Sequence, residues 1–199
     1  PHTSASRMVV FVYLAPVLTA LGLAWWVPGE HLRPAQWAGV LLAFAGLAIA
    51  FADGLRGGGT LLGDAAGIGA AVLWAATTVL IRATRLAAAA AEKTLAYQLA
   101  VSALVLPPVA WALGEPGIVR IDATAVASLL FQGVVVAFAS YLAWFWLLTR
   151  YLAGRLAVFS FLAPLFGVLF GVVLLGERLT PAFALAALAV GAGIALVNL

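Results

Sequence analysis

The chain has 199 residues, 66% hydrophobic and 9% charged, with ten Lys and Arg against seven Asp and Glu for a net charge of +3. Soluble domains average about 45–50% apolar and about 25% charged residues, so this chain cannot cover a water-facing surface. The same figures exclude disorder; ten scattered cations make no nucleic-acid patch; and with no Cys and two His, His2 and His31, little is left for thiol or zinc chemistry.

What remains is a chain dissolved in lipid. Crossing about 30 Å of hydrocarbon takes about 20 helical residues, and seven apolar runs approach or exceed that length. A barrel needs alternating segments of about 10 residues, whereas these runs are apolar all round. The first, residues 7–27, carries Pro16 near its middle and ends on Trp25 and Trp26, aromatics suited to the membrane interface. The second, 34–52, follows Gly29-Glu30-His31-Leu32-Arg33. Residues 54–60 read as a glycine-rich connector; Gly57-Gly58-Gly59-Thr60 lacks the Lys of a phosphate loop. In the third run, 61–81, Asp64, Gly67, Ala71, Trp74 and Thr78 share one helix face. Asp64 suits the amides and dipole of the helix start, and Trp74 is too deep for an interface belt. The fourth, 94–113, puts Thr94, Gln98 and Ser102 on one face with Tyr97 beside it. The fifth, 123–148, read as one α-helix, aligns Ser128, Gln132, Ala139 and Trp146. The sixth, 156–175, holds Ser160, Pro164 and Gly167-x-x-x-Gly171, a spacing that lets helices approach, as does Gly63-x-x-x-Gly67. The seventh is 181–197. Interhelical hydrogen bonds account for Ser and Thr inside spans; Gln98 and Gln132 are costlier to bury and face either a cavity or a neighbouring helix.

Orientation follows from the loops. One side carries Arg33, Arg82, Arg85, Lys93, Arg150 and Arg155, the other Arg7, Arg56, Arg120 and Arg178. The richer side is expected to be cytoplasmic, and with it the C-terminus. The chain opens Pro1-His2-Thr3 without Met and reads as starting between two spans of a longer protein.

The sequence also repeats itself. Arg7-Met8-Val9-Val10-Phe11-Val12-Tyr13-Leu14-Ala15-Pro16 matches Arg155-Leu156-Ala157-Val158-Phe159-Ser160-Phe161-Leu162-Ala163-Pro164 at an offset of 148. Gly29-Glu30-His31-Leu32-Arg33-Pro34 then matches Gly176-Glu177-Arg178-Leu179-Thr180-Pro181, and Gly46 matches Gly193, at 147. The first two spans are therefore duplicated as the last two. Equivalent spans are five apart in the order, an odd number, so the copies cross the membrane in opposite directions. Inverted repeats are a hallmark of secondary transporters, with the substrate at the midplane between the copies. The expected fold is all-α and integral to the membrane: seven transmembrane helices of a ten-helix, five-plus-five inverted repeat. Residues 1–53 would be the last two helices of the first repeat, 54–60 a periplasmic connector and 61–199 the complete second repeat.

The ordered set Phe161-Leu162-Ala163-Pro164, Gly176-Glu177-Arg178-Leu179-Thr180-Pro181, Gly63-Asp64 with Trp74, and Tyr141-Leu142-Ala143-Trp144-Phe145 resembles the EamA family of the drug/metabolite transporter superfamily. Leu14-Ala15-Pro16 and Gly29-Glu30 repeat the pattern in the first copy. The resemblance implies ten helices with both termini cytoplasmic, this chain running from the fourth to the tenth. Ala137 stands where many members carry Thr, and Ala163 where many carry Glu.

No nucleophile, base and acid can be assembled into an enzyme site, and the one lysine, Lys93, lies at a loop edge rather than where a retinal Schiff base needs it. No charge lies at a span centre, which points to a neutral or zwitterionic solute. The reading is a secondary transporter of the inner (plasma) membrane. It moves a small amino-acid-like metabolite or drug, in the export direction, by alternating access. The rival is a non-transporting polytopic protein, either a membrane enzyme or a scaffold subunit. No cofactor or metal is expected; the partners are the solute and the bilayer, with a homodimer left open. Pro16 and Pro164, about 13–15 Å into their spans, mark interrupted helices, where transporters place substrate sites. The expected site is Tyr13, Pro16, Thr19, Trp74, Thr78, Tyr97, Gln98, Gln132, Ser160 and Pro164.

Overall fold

The computed structural model describes residues 3–117, 121–175 and 180–199. Among them every regular element is helical: α1 (Ala5–Val12), α2 (Ala15–Trp26), α3 (Pro34–Ala50), α4 (Ala52–Arg56), α5 (Leu61–Ala83), α6 (Ala91–Ala112), α7 (Ala123–Leu130), a π-helical stretch (Phe131–Ser140), α8 (Tyr141–Arg150), α9 (Ala153–Phe159), α10 (Leu162–Leu175) and α11 (Pro181–Asn198), with a 3₁₀ turn at Arg85–Ala88. Among the described residues six helical stretches are long and apolar enough to cross a membrane, against the seven spans expected, and Pro34–Ala50 is a shorter apolar helix of 17 residues. The second Gly-Glu motif, Gly176-Glu177, lies outside the described residues, as do His2 and Arg120.

Local chemistry starts these helices. The Thr60 hydroxyl accepts the Gly63 N–H at the head of α5, and Thr180 accepts from Phe183 at the head of α11, where Pro181 follows in the first turn. Both satisfy an amide that the helix itself leaves unpaired. Helix α6 begins at Ala91 and α9 at Ala153, each three residues before the hydropathy alone places the span.

The chain divides into two compact units, residues 1–84 with 152–199, and residues 85–151. In the first, α1–α2 and α5 lie side by side and parallel, joined near both ends. At one end Arg7 donates from Nε and Nη2 to the two oxygens of Asp64, each at 2.6 Å. At the other, Arg82 donates from Nε to Glu30 at 2.6 Å and pairs with it through Nη2 as well. Asp64 thus holds a guanidinium rather than the helix-start amides the sequence suggested. Glycines let the two helices close: a Cβ on Gly67 would stand 2.8 Å from the Phe11 Cβ, and one on Gly22 would stand 2.7 Å from Val79. Gly167, by contrast, has nothing within 4 Å.

Helices α3 and α11 pack antiparallel through backbone contact. A Cβ on Gly39 would meet the Gly193 carbonyl at 2.6 Å, and one on Gly46 would meet the Ala186 carbonyl at 3.0 Å. Seven residues forward along α3 is seven residues back along α11. At the 147 offset Gly39 corresponds to Ala186 and Gly46 to Gly193, so each contact is the image of the other under exchange of the two copies. Around this seam lie Val40, Ala43, Leu47, Val190 and Val197, all fully buried. Gln36 seals one end: its Nε2 donates to the Val197 carbonyl at 2.8 Å, and its Oε1 accepts the Arg33 N–H at 2.9 Å.

In the second unit α6 packs on α8, and α7, the π-helical stretch and α8 form one continuous helical run, Ala123–Arg150. The sequence reading of this span as a uniform α-helix needs correction. A π-helix bonds i to i+5 and makes wider turns, so the face that aligned Gln132 with Ala139 and Trp146 at 100° per residue does not persist through residues 131–140.

If the α3–α11 seam is backbone-limited, Gly39→Ala lowers stability by about 1–3 kcal/mol, the range for an overpacked core. Gly191→Ala, on an exposed part of α11 with open space around it, leaves it unchanged. Thermal unfolding of the detergent-purified full-length protein distinguishes the two.

Candidate substrate site

The first and sixth spans are each interrupted, at matching places. Helix α1 ends at Val12 and α2 starts at Ala15; α9 ends at Phe159 and α10 starts at Leu162. Pro16 and Pro164 lie just beyond the breaks. A proline offers no N–H to the carbonyl four residues back and clashes with it, here those of Val12 and Ser160. The backbone tightens to three-residue hydrogen bonds there, Leu14 N–H to Phe11 O and Phe161 N–H to Val158 O, both 3.2 Å. The Ser160 carbonyl accepts from the Ala163 N–H at 3.0 Å, so the carbonyl freed by Pro164 is satisfied within its own chain turn.

The two breaks meet. Tyr13 and Phe161, equivalent residues at the 148 offset, have ring centroids 6.3 Å apart. Contacts of Gly154 with Leu23 show that α9 and α2 run antiparallel past this point. Trp74 of α5 meets Tyr13 edge-on at 5.8 Å, and Phe44 of α3 lies 6.4 Å from Phe161. Edge-to-face and tilted aromatic pairs at these distances are favourable beyond their buried area. Phe161 is fully buried, while Tyr13 and Trp74 are half-buried. The result is an aromatic floor at the crossing of two broken helices, with one phenolic hydroxyl.

The expected site residues divide between the units. Tyr13, Pro16, Thr19, Trp74, Thr78, Ser160 and Pro164 belong to the first; Tyr97, Gln98 and Gln132 belong to the second. Tyr13, Trp74 and the prolines gather at the breaks. Ser160 is half-buried and donates its hydroxyl to the Ala157 carbonyl at 2.7 Å. Thr19 and Thr78 are buried, each 2% exposed. In the second unit Tyr97 is exposed and Gln98 half-buried. Gln132 is exposed and lines an open groove of ≈ 550 Å³ with Ser128, Phe131 and Thr124.

Sequence reading missed Glu30. It sits in a short connection, yet it is 4% exposed, taking Arg82 on one oxygen and the Gly154 N–H on the other at 3.3 Å. It ties three elements together: the end of α2, the end of α5 and the start of α9. The signal was present, because Gly-Glu recurs as Gly176-Glu177 where a solvated loop acid has no reason to recur. Phe161 and Phe44 were also passed over, being apolar among apolar neighbours.

A model of the EamA-like transporter family matches residues 2–52 and 61–199. An uncharacterized transporter of Archaeoglobus fulgidus is 29% identical over 181 residues, covering 89% of this chain and 61% of its own length. The uncharacterized transporter YvbV of Bacillus subtilis is 29% identical, covering 99% and 64%. A probable amino-acid metabolite efflux pump of Escherichia coli is 28% identical, covering 76% and 54%. A crystal structure with 28% identity superposes with a TM-score of 0.82, covering 98% of this chain and 67% of that one. The chain thus spans about three fifths of the length of the curated relatives it matches over most of its own length.

Removing the Tyr13 ring separates packing from chemistry. Tyr13→Ala should lower the melting temperature by several degrees, since truncating a core aromatic costs about 3–5 kcal/mol and this one is half-buried. Tyr13→Phe keeps the ring contacts and should melt with the parent in the same detergent assay.

Proposed function

Because this chain belongs to the EamA-like transporter family, we propose that the full-length protein is a secondary transporter. It moves a small neutral or zwitterionic solute of amino-acid type, in the export direction, by alternating access. The observation that carries the reading is the meeting of two interrupted helices at equivalent residues, Tyr13 and Phe161. Broken helices facing each other across an inverted repeat are where such proteins hold their substrates. A transporter reading is also the economical one beside a membrane enzyme, because the aromatic floor offers surface and orientation but no acid–base pair.

The solute class follows from the lining. Aromatic faces attract an ammonium group or an apolar side chain, and the Tyr13 hydroxyl can donate or accept. Four charged groups of the first unit, Arg7, Asp64, Glu30 and Arg82, are paired near helix ends. None of these four lies at the breaks, which suits a neutral or zwitterionic solute there. The E. coli relative, named a probable amino-acid metabolite efflux pump, supports this class and direction. The whole protein would hold ten helices in two inverted sets of five, in the inner (plasma) membrane, with the C-terminus cytoplasmic. Thr19, Thr78 and Ser160 complete the proposed lining in the first unit.

Flux of a labelled amino-acid metabolite in proteoliposomes of the full-length protein tests this. Pro16→Ala and Pro164→Ala restore a backbone donor at the breaks and should lower flux severalfold while the protein still folds. Unchanged flux and affinity in both variants would remove the paired breaks from the mechanism.

Orientation has its own test. A single Cys at Gly58 should react with an impermeant maleimide added outside intact cells, and one at Ala88 only after the cells are opened. The reverse pattern places the C-terminus outside.

A further inference from the structure

Arg155 opens the second copy of the helix pair as Arg7 opens the first. Arg7 gives its Nε and Nη2 to the two oxygens of Asp64, a side-on bidentate pair. Arg155, in the first turn of α9, is half-buried, and its Nε is buried with no hydrogen-bond partner. The unmatched atom is the same nitrogen that Arg7 places on its carboxylate. A buried donor of a charged group is costly to leave unpaired.

We propose that Arg155 receives a carboxylate from a further apolar helix of the full-length transporter. That helix would stand beside α9–α10 as α5 stands beside α1–α2. Three observations define it. The curated relatives are longer than this chain, which covers 54–64% of them. The exchange of copies that maps the Gly39–Gly193 contact onto Gly46–Ala186 also maps Arg7 onto Arg155, and so maps α5 onto a helix parallel to α9–α10. Asp64 is the fourth residue of α5, so the acid belongs in the first turn of that helix. The carboxylate of a bound solute is a weaker fit, because Arg155 lies five residues before the break at Ser160, about 7 Å along the helix. The inference rests on the inverted repeat, but not on transport; its test reads folding rather than flux, so either idea can fail alone.

In the full-length protein, Arg155→Glu should lower the melting temperature by on the order of 5 °C, the effect of breaking a buried pair in a protein of this size. Each acid in the first two turns of the remaining apolar helices is then changed to Arg, singly and in the Arg155→Glu background. One of them should lower stability alone and restore it in the double variant. If Arg155→Glu yields no folded protein, the same rescue is read as recovery of a monodisperse peak on gel filtration. Failure of every acid to restore overturns the proposal. So does a rise in melting temperature with sodium glutamate that the parent shows and Arg155→Gln loses, which would give Arg155 to a solute.

Discussion

Two helices related by exchange of the copies must touch each other with the same surface, and the first unit depends on how that is done. Such a contact works only if the residues at its centre are small on both sides, because each protrusion is met twice. Gly39, Ala43 and Gly46 on α3, with Ala186 and Gly193 on α11, meet that demand. Lipid tails are as apolar as leucine, so helices in a bilayer gain nothing by hiding greasy side chains from it; close backbone approach and a few polar ties are what remain. The same exchange puts Tyr13 against Phe161. The aromatic floor and the glycine seam are thus two points on one relation.

Much of this was legible in the residues. The helical class and the duplicated motif needed only apolar runs and two offsets, because in lipid nearly every polar position has to be explained; the second run, though, forms a helix of 17 residues, shorter than the six that are long enough to cross. The prolines announced the breaks. They did not locate them, since the helix gives way before the proline, at Tyr13-Leu14 and Ser160-Phe161, where the carbonyls lose their partners. The π-helical stretch was not legible. Its wider turns are a property of backbone bonding register, and Phe131-Gln132-Gly133-Val134 contains nothing that an α-helix would refuse. Nor could pairing be read across a distance: Arg7 and Asp64 are 57 residues apart, and only folding brings them together.

The charged ties show why few charges suffice. Glu30 is as buried as a core residue, and such a carboxylate is tolerable only when both oxygens are engaged. It meets that condition with Arg82 and the Gly154 amide. Together with Arg7–Asp64 it fixes α1–α2 to α5 near each end, so those helices resist sliding past each other. The rigid element of the first unit is therefore the pair formed by α1–α2 and α5.

The exchange of copies also acts on how such a chain is inserted. Arg7 and Arg155 are one residue written twice, and the antiparallel packing of their helices sets them at opposite ends of the bundle. For the machinery that weighs positive charge across the bilayer, the two cancel. What tips the balance must come from cations without a twin at the matching position, such as Arg33, answered by Thr180. A duplicated architecture thus silences its own duplicated charges, and the cations that were not duplicated hold the vote on which way the protein faces.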